Sequence, residues 1–417
     1  MSENVKKVLI IGYVWPEPNS SAAGSRMMQL VEFFQSQYYQ VVFSSPAAES
    51  EHRFPFESIG VEKAEIKVNS SSFDDFIKNL NPDIVLFDRF IMEEQFGWRV
   101  DKFCPDAIKL LETVDLHCLR EARHTALKQQ RSFTRKDLFS EISQREIASI
   151  FRCDLSLIIS DYEFKLLIEE FKVDSSLLIL LPFMLDNLES STYKSLPSFE
   201  KRQNFISIGN FRHAPNWDAV LYLKQTIWPL IHKKLPNAEM HIYGAYPPPK
   251  ATQLHNPKQK FHILGWAKDA KIVMGNARIC LAPLRFGAGL KGKLVEAMQQ
   301  GTPSITTDIG AEGMHGDLKW NGMIENEPTT FADAAVSLYK DKDIWLKYQN
   351  NGMDIFNTFY NKDKLSSTFS KRLNNIIDNI TEHRLNNFTG SMLRHHSMKS
   401  TQYMSQWIEA KNRNIKD

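Results

Sequence analysis

Hydrophobic residues in this chain fall into short continuous runs, separated by polar loops and by segments of helical period. The run Val8–Val14 predicts a buried strand, and the loop WPEPNSSAAGSR follows it. A helix from Gly24 or Ser25 then carries Met28, Leu30, Val31, Phe33 and Phe34, and YQVVFSS returns to strand. Strand, helix and strand in that order predict a parallel sheet with crossover helices. The pattern continues through DIVLFD, AIKLLET, LSLIIS and LLILLPF, with FKLLIEEF among the helical segments between them.

Between Asp186 and Gln203 the text turns polar, DNLESSTYKSLPSFEKRQ, as expected of a connection between domains. Strand and helix alternate again afterwards. NFISIGN, AEMHIYG, KFHILGW, ARICLAPL and SITTD are predicted strands, with a helix over Asn216–Ile231 and another after Gly292. Beyond about Ala332 the chain is expected to be helical throughout. Leu365, Phe369, Leu373, Ile376, Ile377 and Ile380 form one stripe at helical spacing, expected to pack against the two domains. The reading is therefore two doubly wound α/β domains, 1–190 and 200–360, with a helical tail over 361–417.

Composition narrows the function classes. The chain has 417 residues, too many for one ordinary core, and 51 basic residues nearly balance 49 acidic ones. That balance gives no general attraction to nucleic acid. Cys104, Cys118, Cys153 and Cys280 lie far apart with no C-x-x-C pair, which suits free thiols in a reducing compartment. The start, MSENVKKVLIIGYVWPEP, has an apolar run too short to span a membrane, and reads as the first strand of a cytoplasmic protein.

Candidate chemistry concentrates in Arg285–Gly301, RFGAGLKGKLVEAMQQG. It contains the G-x-x-x-x-G-K of a nucleotide triphosphatase loop, but Leu294 stands where a magnesium-binding Ser or Thr belongs. The segment also lies late in the chain, with no acidic strand end to complete such a site. What remains is a strand, a glycine turn and a helix ended by Gly301 and Pro303, which places a helix N-terminus where an anion is favoured. Gly287, Gly289 and Gly292 let a phosphate approach the backbone, and Lys291 and Lys293 would neutralise it. Lys293 and Glu296 are three residues apart and share a helix face, so the carboxylate can reach a ribose diol. The alternative is that Glu296 complements the helix dipole and Lys293 is its solvated partner.

With strand, glycine turn, Lys293 and Glu296 in place, the segment resembles the carboxyl-terminal domain of GT-B glycosyltransferases. It is most similar to the retaining family 4, the glycosyl transferases group 1. The similar text is Pro283, FGAGLKGK, LVEAMQQGTP and SITTDIGAEGM. FISIGNFRHAPNWDAVLYL is similar to the family's first donor-domain strand and loop, which makes Arg212 the basic side chain reaching the diphosphate. HILGWAKD resembles the loop that meets the nucleotide base, near Gly265 and Trp266. PEPNSSAAGSR resembles the glycine loop facing the donor, with Gly24 at its helix start, and VDLHCLREAR would place His117 in the cleft. One departure stands out. The family typically shows E-x7-E, and the position of the first Glu is Ala288, beside the sugar of the donor.

The resemblance implies transfer of a sugar from a nucleotide-diphosphate sugar to the hydroxyl of a glycan or lipid-linked acceptor, without a metal or other cofactor and with retention. Arg212 and Lys293 would stabilise the departing diphosphate, helped by Lys291 and the backbone of Gly287, Ala288 and Gly289. His117 would orient the sugar or stabilise charge; it can equally cap its helix or pair with Asp115 or Arg120. Arg212 can equally be a surface residue ahead of its helix. Two other readings stay open: a catalytically silent nucleotide-sugar-binding scaffold, which Ala288 would permit, and a sugar-nucleotide epimerase. His395 and His396 lack a ligand frame, so no metal is expected. The tail offers Met392, Met398, Tyr403, Met404, Trp407 and Ile408 as anchors, either bracing the first domain or touching a membrane surface or a partner. The expected location is cytoplasmic, at the inner face of a membrane if the tail attaches there.

Overall fold

Apolar runs form the central strands here because both faces of the sheets are covered at their middle. In the first sheet Val8, Ile10, Leu86 and Leu110 pack one way, with Phe33 and Phe34, and Leu9, Ile11, Val85 and Phe87 pack the other, with Phe73, Phe96 and Ile150. Successive residues alternate faces, so a strand with two dry faces needs an unbroken run. The computed structural model describes residues 5–413, except the side chains of Ser190, His396, Ser397, Met398 and Arg413.

The strands are β1 (Lys7–Ile11), β2 (Gln40–Ser45), β3 (Glu62–Glu65), β4 (Ile84–Asp88), β5 (Ile108–Glu112), β6 (Leu155–Ile158), β7 (Leu178–Leu180), β8 (Gln203–Ile208), β9 (Met240–Tyr243), β10 (Phe261–Gly265), β11 (Ala277–Ala282), β12 (Ser304–Thr306) and β13 (Gly322–Ile324). They make two sheets, ordered β3-β2-β1-β4-β5-β6-β7 and β10-β9-β8-β11-β12-β13, and every pairing is parallel. The second sheet repeats the two-sided core: Phe205, Ile279 and Leu281 meet Trp228 and Leu338, and Ile206, Cys280 and Ala282 meet Leu294, Met298 and Phe356. All four cysteines are buried free thiols.

Three elements depart from the sequence reading. The strands β3 and β13 were not expected; both are sheet edges, and Glu62-Lys63-Ala64-Glu65 has no apolar run to announce it. The helix of the second domain runs from Ala214 to Lys234 and is interrupted by a π turn at Leu223–Ile227. Pro229, which has no N–H, sits just past that turn and accounts for the irregularity.

After Tyr360 the chain returns to the first domain. Phe369, on the helix Lys362–Asp378, stacks on Phe33 with ring centres 4.4 Å apart, and Leu373 and Ile376 join the same core. The apolar stripe thus serves the first domain alone. Arg384 then binds Asp154 and the carbonyls of Pro105 and Ala107. The last helix, Phe388–Arg413, lies on the helices Arg89–Phe103 and Glu141–Arg152. Its contacts are polar or close-packed: Asn387 donates to the Phe151 carbonyl at 2.7 Å, and a Cβ on Gly390 would come within 2.0 Å of that carbonyl. The expected anchors Met392, Tyr403, Met404 and Trp407 point to solvent instead, between 46% and 63% exposed. Ile408 is half-buried, and Met398 and His396 lie outside the described side chains. Among the described residues, no helix is long and apolar enough to cross a membrane.

Candidate functional site

Both sheets present the carboxyl ends of their strands to a common cleft of about 670 Å³, the usual ligand position in doubly wound sheets. That volume suits a nucleotide-sized ligand. The loops after β1, β4 and β5 form one wall, and those after β8, β9, β10 and β11 the other.

The glycine turn after β11 requires glycine for two different reasons. Gly287 and Gly289 have φ of 154° and 64°, a region that other residues rarely enter. At Gly289 an added Cβ would also sit 2.8 Å from the Cβ of Asp115, across the cleft. At Gly292, the first residue of the helix Gly292–Gln299, it would sit 2.4 Å from the Cβ of Ala22, which begins the helix Ala22–Ser36 of the first domain. Two helix N-termini therefore converge on one spot. The first N–H groups of a helix have no partner within it, so the spot favours an anion.

Lys293 and Glu296 both line this cleft. Burial pushes the Lys293 ammonium down to about 8 and the Glu296 carboxyl up to about 7, each partly restrained by the other's charge. Lys293 Nζ donates to Asn216 Oδ1 at 2.9 Å, which fixes it between the strand β8 loop and the helix start. The buried Lys291 ammonium lines the cleft too and donates to the Gly289 carbonyl at 2.6 Å; burial lowers its pKa.

Arg212, Ala288, Gly287, Gly24 and Trp266 also line the cleft. The Arg212 guanidinium lies over the Tyr246 ring, 3.7 Å from its centre. Trp266 stacks on His52 of the first domain at 4.6 Å and donates to the Asn19 carbonyl, so it spans the cleft. Gly24 is a packing glycine: a Cβ there would meet the Glu17 backbone at 2.5 Å, and its N–H is taken by Ser21 Oγ. Gly265 (φ 74°) turns the chain out of β10, and its carbonyl accepts from Gly244.

His117 sits behind the wall rather than on it. Its side chain is 14% exposed, Phe90 covers one edge, and Nε2 lies 3.6 Å from Asp115 Oδ1 without a hydrogen bond. Burial, with the nearby Arg120 and Arg89 charges, pushes its pKa down to about 4 against the pull of Asp115. The imidazole is therefore neutral at ordinary pH. Asp115 itself faces the cleft, and although burial opposes its charge, the Arg120 guanidinium holds its carboxyl far below the usual range. Next to it Val114 has φ of 64°, a strained state for a β-branched residue.

Two first-domain residues that sequence reasoning missed hold the glycine turn. Glu163 Oε1 accepts from the N–H groups of Gly289 (2.8 Å) and Leu116 (2.9 Å), while Oε2 is buried without a partner. Burial and Asp115 push the Glu163 carboxyl well up. Arg123 donates to the Gly287 carbonyl and, through both terminal nitrogens, to Glu312. The Gly289 N–H, a candidate for the phosphate, is thus engaged by the opposite domain. The only sequence signal for Glu163 is its place just after a strand end, where cleft residues gather.

Comparison with known proteins agrees with this architecture. Residues 202–341 match the family model of the glycosyl transferases group 1. No curated protein sequence matches the chain. Sucrose-phosphate synthase from Thermosynechococcus elongatus superposes with a TM-score of 0.65 at 13% identity, covering 89% of this chain and 99% of that one. A glycosyltransferase from Rickettsia africae gives 0.64 at 13%, over 90% and 100%, and Anabaena HepE in complex with UDP and glucose gives 0.64 at 11%, over 88% and 99%. The chain has the two-domain GT-B fold, and the stretch that matches the glycosyl transferases group 1 model lies within its second domain.

Proposed function

We propose that this protein transfers a sugar from a nucleotide-diphosphate sugar to an acceptor hydroxyl. The observation that carries the reading is the half-buried, desolvated pair Lys293 and Glu296 at a helix N-terminus in the cleft. A cation and a carboxylate desolvated on a cleft wall, with only Asn216 bonded to the ammonium, are costly unless a ligand partners them. The diphosphate meets Lys293, Arg212 and the helix end, and the ribose diol donates to Glu296.

In the reaction the bond from the anomeric carbon to the β-phosphate oxygen breaks, and a bond from the acceptor oxygen to that carbon forms. The acceptor proton passes to the departing phosphate oxygen on the same face, which gives retention and needs no protein base. Charge growing on the diphosphate is met by groups already in place, so little reorganisation is needed. The neutral, recessed His117 fits a positioning role behind Asp115, and Asp115 is placed to orient an acceptor or sugar hydroxyl. The chemistry asks for no metal, and its products suit glycan or surface polysaccharide assembly.

A second reading, a silent nucleotide-sugar-binding scaffold, draws support from Ala288 and from the occupied Gly289 N–H. Thermal stabilisation by UDP-, GDP-, ADP-, CMP- and dTDP-sugars in EDTA tests the donor site. UDP-sugars come first, since HepE was crystallised with UDP and glucose. A shift that vanishes in Lys293→Ala and Glu296→Ala supports the donor site; turnover with an acceptor then separates enzyme from scaffold. No shift with any donor overturns both.

A further inference from the structure

Parallel strands with two covered faces are normally lined by apolar side chains. On the outer pair of the second sheet one face is only half-buried, and polar side chains occupy it. His241 on β9 and His262 on the edge strand β10 are register partners, so their side chains share a face. Glu239, two residues before His241, points to the same side. None of the three lines the donor cleft.

The three side chains converge, and Glu239 Oε2 is hydrogen-bonded to His241 Nε2. Glu239 Oε2 lies 3.1 Å from His241 Nε2 and 3.6 Å from His262 Nε2. The two imidazole rings are perpendicular, with centres 5.5 Å apart. The three donor atoms all fall within 4.8 Å of one another. A tetrahedral zinc ion with bonds of about 2.0–2.1 Å spaces its ligands roughly 3.3 Å apart, a value that the separations of 3.1 and 3.6 Å bracket. His262 Nε2 is buried without a hydrogen bond. Glu239 Oε1, the other oxygen, accepts from Lys260 Nζ at 3.1 Å, which orients the carboxylate without blocking the face toward the rings.

We propose that Glu239, His241 and His262 bind one divalent transition-metal ion of the zinc class. Two imidazoles and one carboxylate select such ions over magnesium or calcium, which prefer all-oxygen sites. The fourth position is filled by water; His255 stands off, its Nδ1 accepting from the Ile263 N–H. The ion ties the edge strand β10 to β9. It thereby stiffens the two loops that carry Tyr246 and Trp266 into the cleft.

The test uses the untagged full-length chain, stripped with chelator and titrated with Zn²⁺ by calorimetry and with Co²⁺ by visible absorption. The expected result is one ion per chain, an imidazole-type cobalt spectrum and a raised melting temperature. In His241→Ala/His262→Ala the affinity should fall more than about 100-fold, while the melting temperature in EDTA stays near that of the unmodified chain. Glu239→Gln, which keeps the shape of the side chain, serves if the double variant fails to fold, and should also weaken binding. Absence of stoichiometric binding overturns the proposal, and so does binding that survives these substitutions.

Discussion

Arg123 of the first domain holds Glu312 of the second with two hydrogen bonds of 2.8 and 2.6 Å, and the same guanidinium reaches the Gly287 carbonyl at 2.9 Å. Arg123→Ala should loosen the glycine turn and leave a carboxylate and a carbonyl unpaired, at a cost of about 2 kcal/mol. Arg123→Lys keeps the charge but loses the planar fork, so it should recover only part of the loss. Chemical denaturation measures the stability, and donor titration measures the loop; an unchanged donor affinity would show that the clamp does not shape the site.

Glu163 supplies a pH signature. Its folded pKa is raised by burial and by Asp115, so the folded state holds a proton that the unfolded state releases above its ordinary value of about 4.3. That stability contribution is full at low pH and is lost as pH climbs through the folded pKa. Glu163→Gln keeps an oxygen for the Gly289 and Leu116 N–H groups and carries no charge to bury. Its melting temperature should gain on that of the unmodified chain between pH 5 and pH 8; a constant gap would refute the protonated Glu163.

Donor affinity should be bell-shaped in pH. Lys293 loses its charge above about 8, and Glu296 loses its own below about 7. Binding of a diphosphate donor is therefore strongest between these values. Lys293→Arg, charged throughout, should abolish the alkaline fall, whereas Lys293→Ala should weaken binding roughly 10- to 100-fold. Calorimetric affinities from pH 6 to 9 decide it.

The last helix gives a contrast between two kinds of residue. Trp407 is 59% exposed, so Trp407→Ala should alter stability by less than about 0.5 kcal/mol. Gly390→Ala forces a methyl into the Phe151 carbonyl and should cost about 1–3 kcal/mol. Equal melting temperatures for the two variants would mean that this helix does not brace the first domain.

Central strands were legible because burial on both faces writes itself as runs such as Val8-Leu9-Ile10-Ile11. Lys293 and Glu296 were legible because helical spacing couples neighbours in the text. Glu163 and Gly289 are 126 residues apart, and no local pattern announces a carboxylate that serves another domain's backbone. The tail misled for a related reason: its aromatic residues suggested anchors, but the packing runs through Gly390 and Asn387, whose value lies in small size and hydrogen bonding.

The glycine turn carries one further consequence. Its N–H and carbonyl groups are bonded by Glu163 and Arg123, side chains that belong to the other domain. Anything that tilts the first domain must then alter the glycine turn, and with it the donor site proposed above. Thermodynamic linkage makes this reciprocal: the factor by which acceptor changes donor affinity equals the factor by which donor changes acceptor affinity. A donor and an acceptor bound as proposed above would then be heterotropic ligands of one another.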